Sequence, residues 1–457
     1  MSIQQRIMSG LAANTFGQAV TIGSQILLTP LFFKYWGAAK YGEWLILSSI
    51  PAYLSMADLG IGSAAGNEMT MRAGAGDRVG AQQTFRGAGL VFAGASVLVL
   101  LIGLLAAAYS YYSRQTGSSL IAPQEAALVM VGLSLSVLVG FGNGLMLAGF
   151  RCSERNALGI SLGNVSRLAE AVVMGTLLIA QQSPVVLCFG ALLAKLVTLG
   201  MQVVILRRLS PWLHHPRAPA DKTLVKRLIG PSVGFMAFPL GHALALQGPI
   251  LVIGAVLGSP AVAMFSAMRT LARLPVQITN IFNNSVWPEM SRAYGSGDLA
   301  LLRSLHRGSW GLTLSLTVVA GLSLWLLGPW VAHLWLGPTG AYDGHVLMAL
   351  IAASVISSVW TASYVVMAAI NAHTRMGIFF VISNAISLGA MYALAQALGW
   401  GGIFVPMLLA ELVLMAWVLP QVIRTTQDSM AEFLRCAMVD GPRSIMQKIT
   451  KWVRPQA

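Results

Sequence analysis

Twelve apolar runs, each long enough to cross a bilayer, succeed one another between Ile7 and Val422 with polar loops between them. In lipid the backbone polar groups of each run must be satisfied within it, and that leaves helices as the spanning form. The runs lie near 7–33, 43–67, 87–112, 123–150, 158–181, 184–206, 228–257, 261–288, 308–336, 346–371, 376–398 and 401–422. Of the 457 residues 56% are hydrophobic and 10% charged, which a water-soluble domain of this size could not carry without aggregating. The expected fold class is therefore an all-α polytopic membrane protein with about 12 transmembrane helices.

The basic residues orient the chain. With twelve spans both ends share a side, and that side collects 22 of the 29 Lys and Arg, against Lys34, Lys40 and Arg114 on the other. The positive-inside rule then puts both termini in the cytoplasm. The net charge of +14 does not indicate nucleic acid, because the cations fall between apolar runs rather than on one surface interleaved with aromatics.

The two halves carry related sequence. NEMTMRAGAGD from Asn67 to Asp77 and PEMSRAYGSGD from Pro288 to Asp298 align without gaps at an offset of 221. Glu68/Glu289, Met69/Met290, Gly74/Gly295, Gly76/Gly297 and Asp77/Asp298 coincide, and the same offset carries Gly37 onto Gly258 and Arg86 onto Arg307. Seven matches over fifty residues indicate a duplicated six-helix unit. Each unit starts and ends in the cytoplasm, so the repeats are parallel, and the expectation is two six-helix lobes around a central cavity. The domains read as an N-terminal lobe (1–206), a Pro-, Arg- and His-rich cytoplasmic linker (207–227), a C-terminal lobe (228–424) and a cytoplasmic tail (425–457). Ile445, Met446, Ile449, Trp452 and Val453 give that tail an apolar side beside Lys448, Lys451 and Arg454, which suits a helix on an anionic leaflet.

Polar residues recur at helical spacing inside two runs. Ser266, Arg269, Arg273, Gln277, Asn280 and Asn284 form one face of the eighth, and Asn14, Gln18, Thr21 and Gln25 one face of the first. Guanidinium groups at mid-membrane depth do not face lipid; they face water, a partner or a bound anion. Arg269, Arg273, Gln277, Asn280, Asn14, Gln18 and Gln25 are the candidate substrate-binding residues. The competing reading pairs the two arginines structurally with Asp58, itself either a charge partner or an ion-coupling site. His242 is a second candidate for coupling, or a hydrogen-bonded core residue. Arg167 and Glu170, three apart, read as a local ion pair, Lys195 and Glu411 as structural charges that pair across a lobe or else line a secondary vestibule, and Gly62/Gly66 and Gly140/Gly144 as small-xxx-small packing sites.

Other chemistry lacks its residues. There is no nucleotide-binding loop, no HExxH and no nucleophile set, and Cys152, Cys188 and Cys436 are scattered without ligand spacing. No enzyme activity, catalytic residue, metal or cofactor is expected. A secondary transporter, flippase or channel remains.

The polar first span with Asn14 and Gln18, Pro30, Gly37, YGEW from Tyr41 to Trp44 and DLGIGSAAGNEM from Asp58 to Met69 resemble the polysaccharide-transporter (Wzx-type) flippases. That family shares a superfamily with lipid II flippases and multidrug/toxic-compound extruders. The resemblance covers most of the chain and is most specific over residues 10 to 90. It implies twelve helices in two lobes with a cavity walled by segments one, two, seven and eight. It also implies a polyprenyl-diphosphate-linked oligosaccharide moved by alternating access from the inner to the outer leaflet of a bacterial inner membrane, for O-antigen or exopolysaccharide assembly. Arg269 and Arg273 match the family's cationic cavity, and polysaccharide polymerase machinery and membrane lipids are the implied neighbours. The first span has no Arg in its membrane part, unlike the lipid II branch. Outward movement of two phosphate charges along an inside-negative potential releases roughly 4 to 5 kcal/mol per 100 mV, with H+ or Na+ as open coupling choices. The rival expectation is a cation-coupled multidrug extruder, which calls for an acidic, aromatic cavity.

Overall fold

The structure, a computed structural model, describes residues 3–55, 61–74, 76–114, 119–214, 222–295, 297–337, 342–370, 372 and 374–439, though not every side chain among them. Asp58 and the tail beyond 439, with its apolar side from Ile445 to Val453, lie outside the described residues. The described elements are helices: α1 (Ile3–Leu54), α2 (Ile61–Gly74), α3 (Arg78–Arg114), α4 (Pro123–Cys152), α5 (Asn156–Ile179), α6 (Pro184–Leu209), a 3-10 turn (Pro211–His214), α7 (Lys222–Val256), α8 (Ser259–Gly295), α9 (Leu299–Leu336), α10 (Gly344–Ala369), α11 (Thr374–Leu398), α12 (Trp400–Thr425) and α13 (Met430–Val439). Ten are long and apolar enough to cross a membrane.

Two expectations are corrected at this level. The loop expected at 34–42 is helical apart from one residue, Gly37, whose φ of 69° and ψ of 171° break α1. The eighth run was expected to be apolar enough to span. Its helix has the length, 37 residues, but α8 is not among the ten, because its polar row lowers its hydropathy.

The chain divides into two compact units, 1–263 with 336–340, and 264–335 with 341–457. In the first, α5 packs on α1 and α6, α4 on α3 and α6, and α7 on α1 and α2. Met69, Phe85, Met146, Phe150, Leu206 and Leu213 form one core cluster there. In the second, α10, α11 and α12 pack together, and Trp310, Val359, Ala362, Ile423, Phe433 and Ala437 form a core that takes in α13.

The repeated sequence builds one turn twice. After α2, Gly76 at φ 81° ends the helix: its N–H bonds Ala73 O at 3.1 Å and the Asp77 N–H bonds Arg72 O at 2.9 Å, closing a Schellman motif. Asp77 Oδ1 then accepts the Gly80 N–H at 2.8 Å and caps α3. After α8, Gly297 at φ 75° bonds Tyr294 O at 3.1 Å, Asp298 bonds Ala293 O at 2.9 Å, and Asp298 Oδ1 caps α9 through the Leu301 N–H at 2.9 Å. Gly37 and Gly258, also 221 apart, share positive φ, and Met69 and Met290 are both fully buried.

The YGEW stretch is structural in this fold. Tyr41 stacks on Phe32 at 4.6 Å, and Trp44 meets Trp36 edge-on at 5.6 Å. Glu43 is buried, and its carboxylate accepts the Leu120 N–H at 2.7 Å and the Ile121 N–H at 3.1 Å, clamping the segment before α4. At Gly42 the carbonyl of Ser259 comes so near that a Cβ would lie 1.7 Å from its oxygen.

Candidate functional site

The first unit forms a half-open cavity of about 530 Å³ between α1, α4, α5 and α6. Asn14 and Gln18 line it, as expected of the first span's polar face; Gln25, further along α1, does not. Their neighbours come from α4, α5 and α6. Asn164 donates to Ala13 O at 2.8 Å and lies across Gly17, where a Cβ would meet its amide at 2.7 Å. Ser166 Oγ and Thr198 Oγ1 join α5 to α6 at 2.6 Å.

The charges of this cavity are arranged differently from the expectation. Glu170 pairs with Lys195 on α6 at 2.9 Å rather than with Arg167 on its own helix. Helical spacing put Arg167 within reach of Glu170, but only the packing of α5 on α6 brings Lys195 there. Arg167 lines the same cavity. Gly140 and Gly144 also belong to it, and a Cβ at either would meet nothing within 4 Å, so this pair is no helix-packing site. Gly66, by contrast, does permit a close approach, with Ala148 Cβ 3.3 Å from where its Cβ would be.

The second unit holds another polar centre, on α8, α10 and α12. Arg273 and Glu411 interact through their charges, and Glu411 accepts hydrogen bonds from Trp360 Nε1 at 2.6 Å and from the Ser357 hydroxyl. Arg269 sits over the Phe265 ring at 5.1 Å. Gln277 and Asn280 are partly buried on the same helix, while the Asn284 side chain lies outside the described residues. Glu411 is a charge partner of Arg273 among the described residues, and Asp58, expected in that role, lies outside them. No spacing along the chain links residues 138 apart, so only the fold could show it. His242, on α7 in the first unit, is exposed beside Phe238 at a centroid distance of 6.0 Å.

A third polar cluster lies where α13 meets α9. Arg307 bonds both carboxylate oxygens of Asp428, with the Nε contact at 2.9 Å, and reaches Glu432 at 3.4 Å. Burial alone would raise the Asp428 carboxyl. Hydrogen bonds from Arg307 and the Ser429 N–H, with the Arg307 charge, hold it below the ordinary carboxylate value. Beside it, buried His306 stacks on Phe433 at 4.8 Å, and its Nε2 lies 3.0 Å from Ser363 Oγ.

No protein-family model matches the sequence, and no curated protein matches it. Solved structures are similar in fold. One is the inward-facing conformation of a multidrug resistance MATE family transporter of the MOP superfamily, with a TM-score of 0.70 at 15% identity over 89% of this chain and 96% of that one. An outward-facing conformation of such a transporter gives 0.63 at 14% identity over 92% and 95%. A MOP superfamily transporter from Pyrococcus furiosus, whose reverse-polarity binding pocket suggests a different function, gives 0.56 at 16% identity over 93% and 96%. The fold is thus the one seen in MATE and other MOP superfamily transporters.

Proposed function

We propose that the chain is a secondary transporter that moves an amphipathic, anionic cargo, a polyprenyl-diphosphate-linked oligosaccharide, between the leaflets of a bacterial inner membrane with both termini cytoplasmic. The observation that carries this reading is charge. The first unit's cavity and the second unit's polar centre hold Arg167, Lys195, Arg269 and Arg273 against Glu170 and Glu411. Guanidinium forks suit phosphate oxygens, and amides and hydroxyls suit sugars. The P. furiosus neighbour supplies a precedent for altered pocket polarity on this fold.

A second reading, a cation-coupled extruder of amphipathic drugs, is favoured by the multidrug resistance MATE transporters among the neighbours. Among the described residues the first unit's cavity has no aromatic lining for a cationic drug. Proteoliposomes loaded with fluorescent lipid-linked oligosaccharide separate the two. Protein-dependent loss of inner-leaflet signal, reduced at least tenfold in Arg273→Gln, supports the flippase. Absence of flipping, with accumulation of a cationic dye instead, overturns it in favour of the extruder.

A further inference from the structure

We propose that the cavity inside the first unit is a binding site for a single carboxylated sugar ring, a hexuronate-like polyol. The inference rests on the transport reading only in taking that sugar to be part of the cargo.

The lining is unlike that of an ordinary apolar ligand pocket. Ten of its 17 residues carry polar side chains, and only Leu147 and Ile160 carry apolar ones. A volume of about 530 Å³ has room for a sugar ring and some water. Two lining atoms are buried without a hydrogen-bond partner, Asn143 Oδ1, an acceptor, and Gln202 Nε2, a donor. A hydroxyl both donates and accepts, so a polyol satisfies each of them with one kind of group. Leaving such atoms unpaired in the folded chain is costly, so whatever fills the cavity, water or a guest, hydrogen-bonds to them.

The anionic group follows from the charges. Lys195 is already neutralised by Glu170 at 2.9 Å. Arg167 is exposed, has no hydrogen bond or ion pair among the described residues and lines the same space, so its guanidinium is available to an anion that enters. Its planar fork takes a carboxylate through two parallel hydrogen bonds.

Glycines keep the space open. Gly140 and Gly144 on α4 and Gly163 on α5 all line the cavity, and a Cβ at any of them would meet nothing within 4 Å. Glycine weakens a helix interior, and no close helix contact explains these three. What a side chain there would take away is cavity volume.

Calorimetry on the full-length protein in detergent, with glucuronate, glucose, inorganic phosphate and tetraphenylphosphonium as probes, tests the site. Glucuronate is expected to bind saturably, at least tenfold more tightly than glucose or phosphate. Arg167→Gln and Gly144→Leu should each weaken it at least tenfold, whereas Gly200→Leu, at an exposed glycine of α6 outside the cavity, should leave it unchanged. Equal binding of phosphate, preferential binding of tetraphenylphosphonium, or glucuronate binding indifferent to both cavity variants would each overturn the proposal. The vesicle assay separates this from the transport reading. If both variants flip lipid-linked oligosaccharide normally, the cavity does not serve the cargo although transport stands. If wild-type protein flips none yet binds glucuronate through Arg167, the site stands and the transport reading falls.

Discussion

Glu170 on α5 and Lys195 on α6 meet at 2.9 Å across the wall of the first unit's cavity, each about a quarter exposed. Removing one partner leaves the other charged and poorly solvated, whereas removing both relieves the problem. Glu170→Gln should therefore cost roughly 1–2 kcal/mol, discounted for the exposure of the pair, and Glu170→Gln/Lys195→Met less than the single change. Thermal unfolding of the purified variants measures both; a double variant no better than the single one would show that the pair is not coupled.

Glu43 is expected to act as a clamp rather than as a cargo ligand. Glu43→Ala strands the Leu120 and Ile121 N–H groups and should destabilise by about 2–4 kcal/mol, with Glu43→Gln, which keeps one acceptor oxygen, falling between. Melting temperatures of the two variants check the order.

The contact of α13 with α9 should depend on acid. Because the folded pKa of Asp428 is depressed, its contribution is complete above the ordinary value of 3.8 and is lost as pH falls through the lower folded value. Hydrogen exchange in α13, corrected for intrinsic rate, should rise in that range, and Asp428→Asn should show the same exchange at pH 7. Arg307→Ala, which leaves the Asp428 carboxylate with the Ser429 N–H but without its cation, should cost roughly 1–3 kcal/mol at neutral pH.

The duplicated turn makes a paired prediction. Gly76→Ala and Gly297→Ala force alanine to φ near 81° and 75°, and each should cost about 1–2 kcal/mol, by amounts that agree between the two sites. Gly402→Ala should cost about 1–3 kcal/mol for a different reason, since its Cβ would fall 2.3 Å from the Leu394 carbonyl carbon. Unfolding of the three variants in one detergent compares them directly.

The helices and the internal repeat were legible in the sequence because lipid permits few backbone solutions and because turns of positive φ need particular residues. Gly76 with Asp77, and Gly297 with Asp298, announce a helix end and the next helix start in two letters each. Pairings across the bundle were not legible. Glu170 finds Lys195 and Arg273 finds Glu411 through packing that no periodicity encodes. Asn14 and Gln18 were singled out by spacing alone, but Asn143, Asn164 and Gln202, which share their cavity, sit on helices whose other residues are apolar enough to hide them. Gly140 and Gly144 misled in an instructive way: a glycine pair at helical spacing has the same sequence signature whether a neighbouring helix or empty space faces it.

That last ambiguity bears on the size of the cavity in the first unit. Where glycines leave room that no other atom claims, a single methyl group subtracts space without meeting the scaffold, and Gly140, Gly144 and Gly163 are three such places on the cavity wall. Alanine or serine at one of them would trim the chamber in small steps. The volume of the cavity is then adjustable by small steps in side-chain bulk, while the charges and the fold stay as they are.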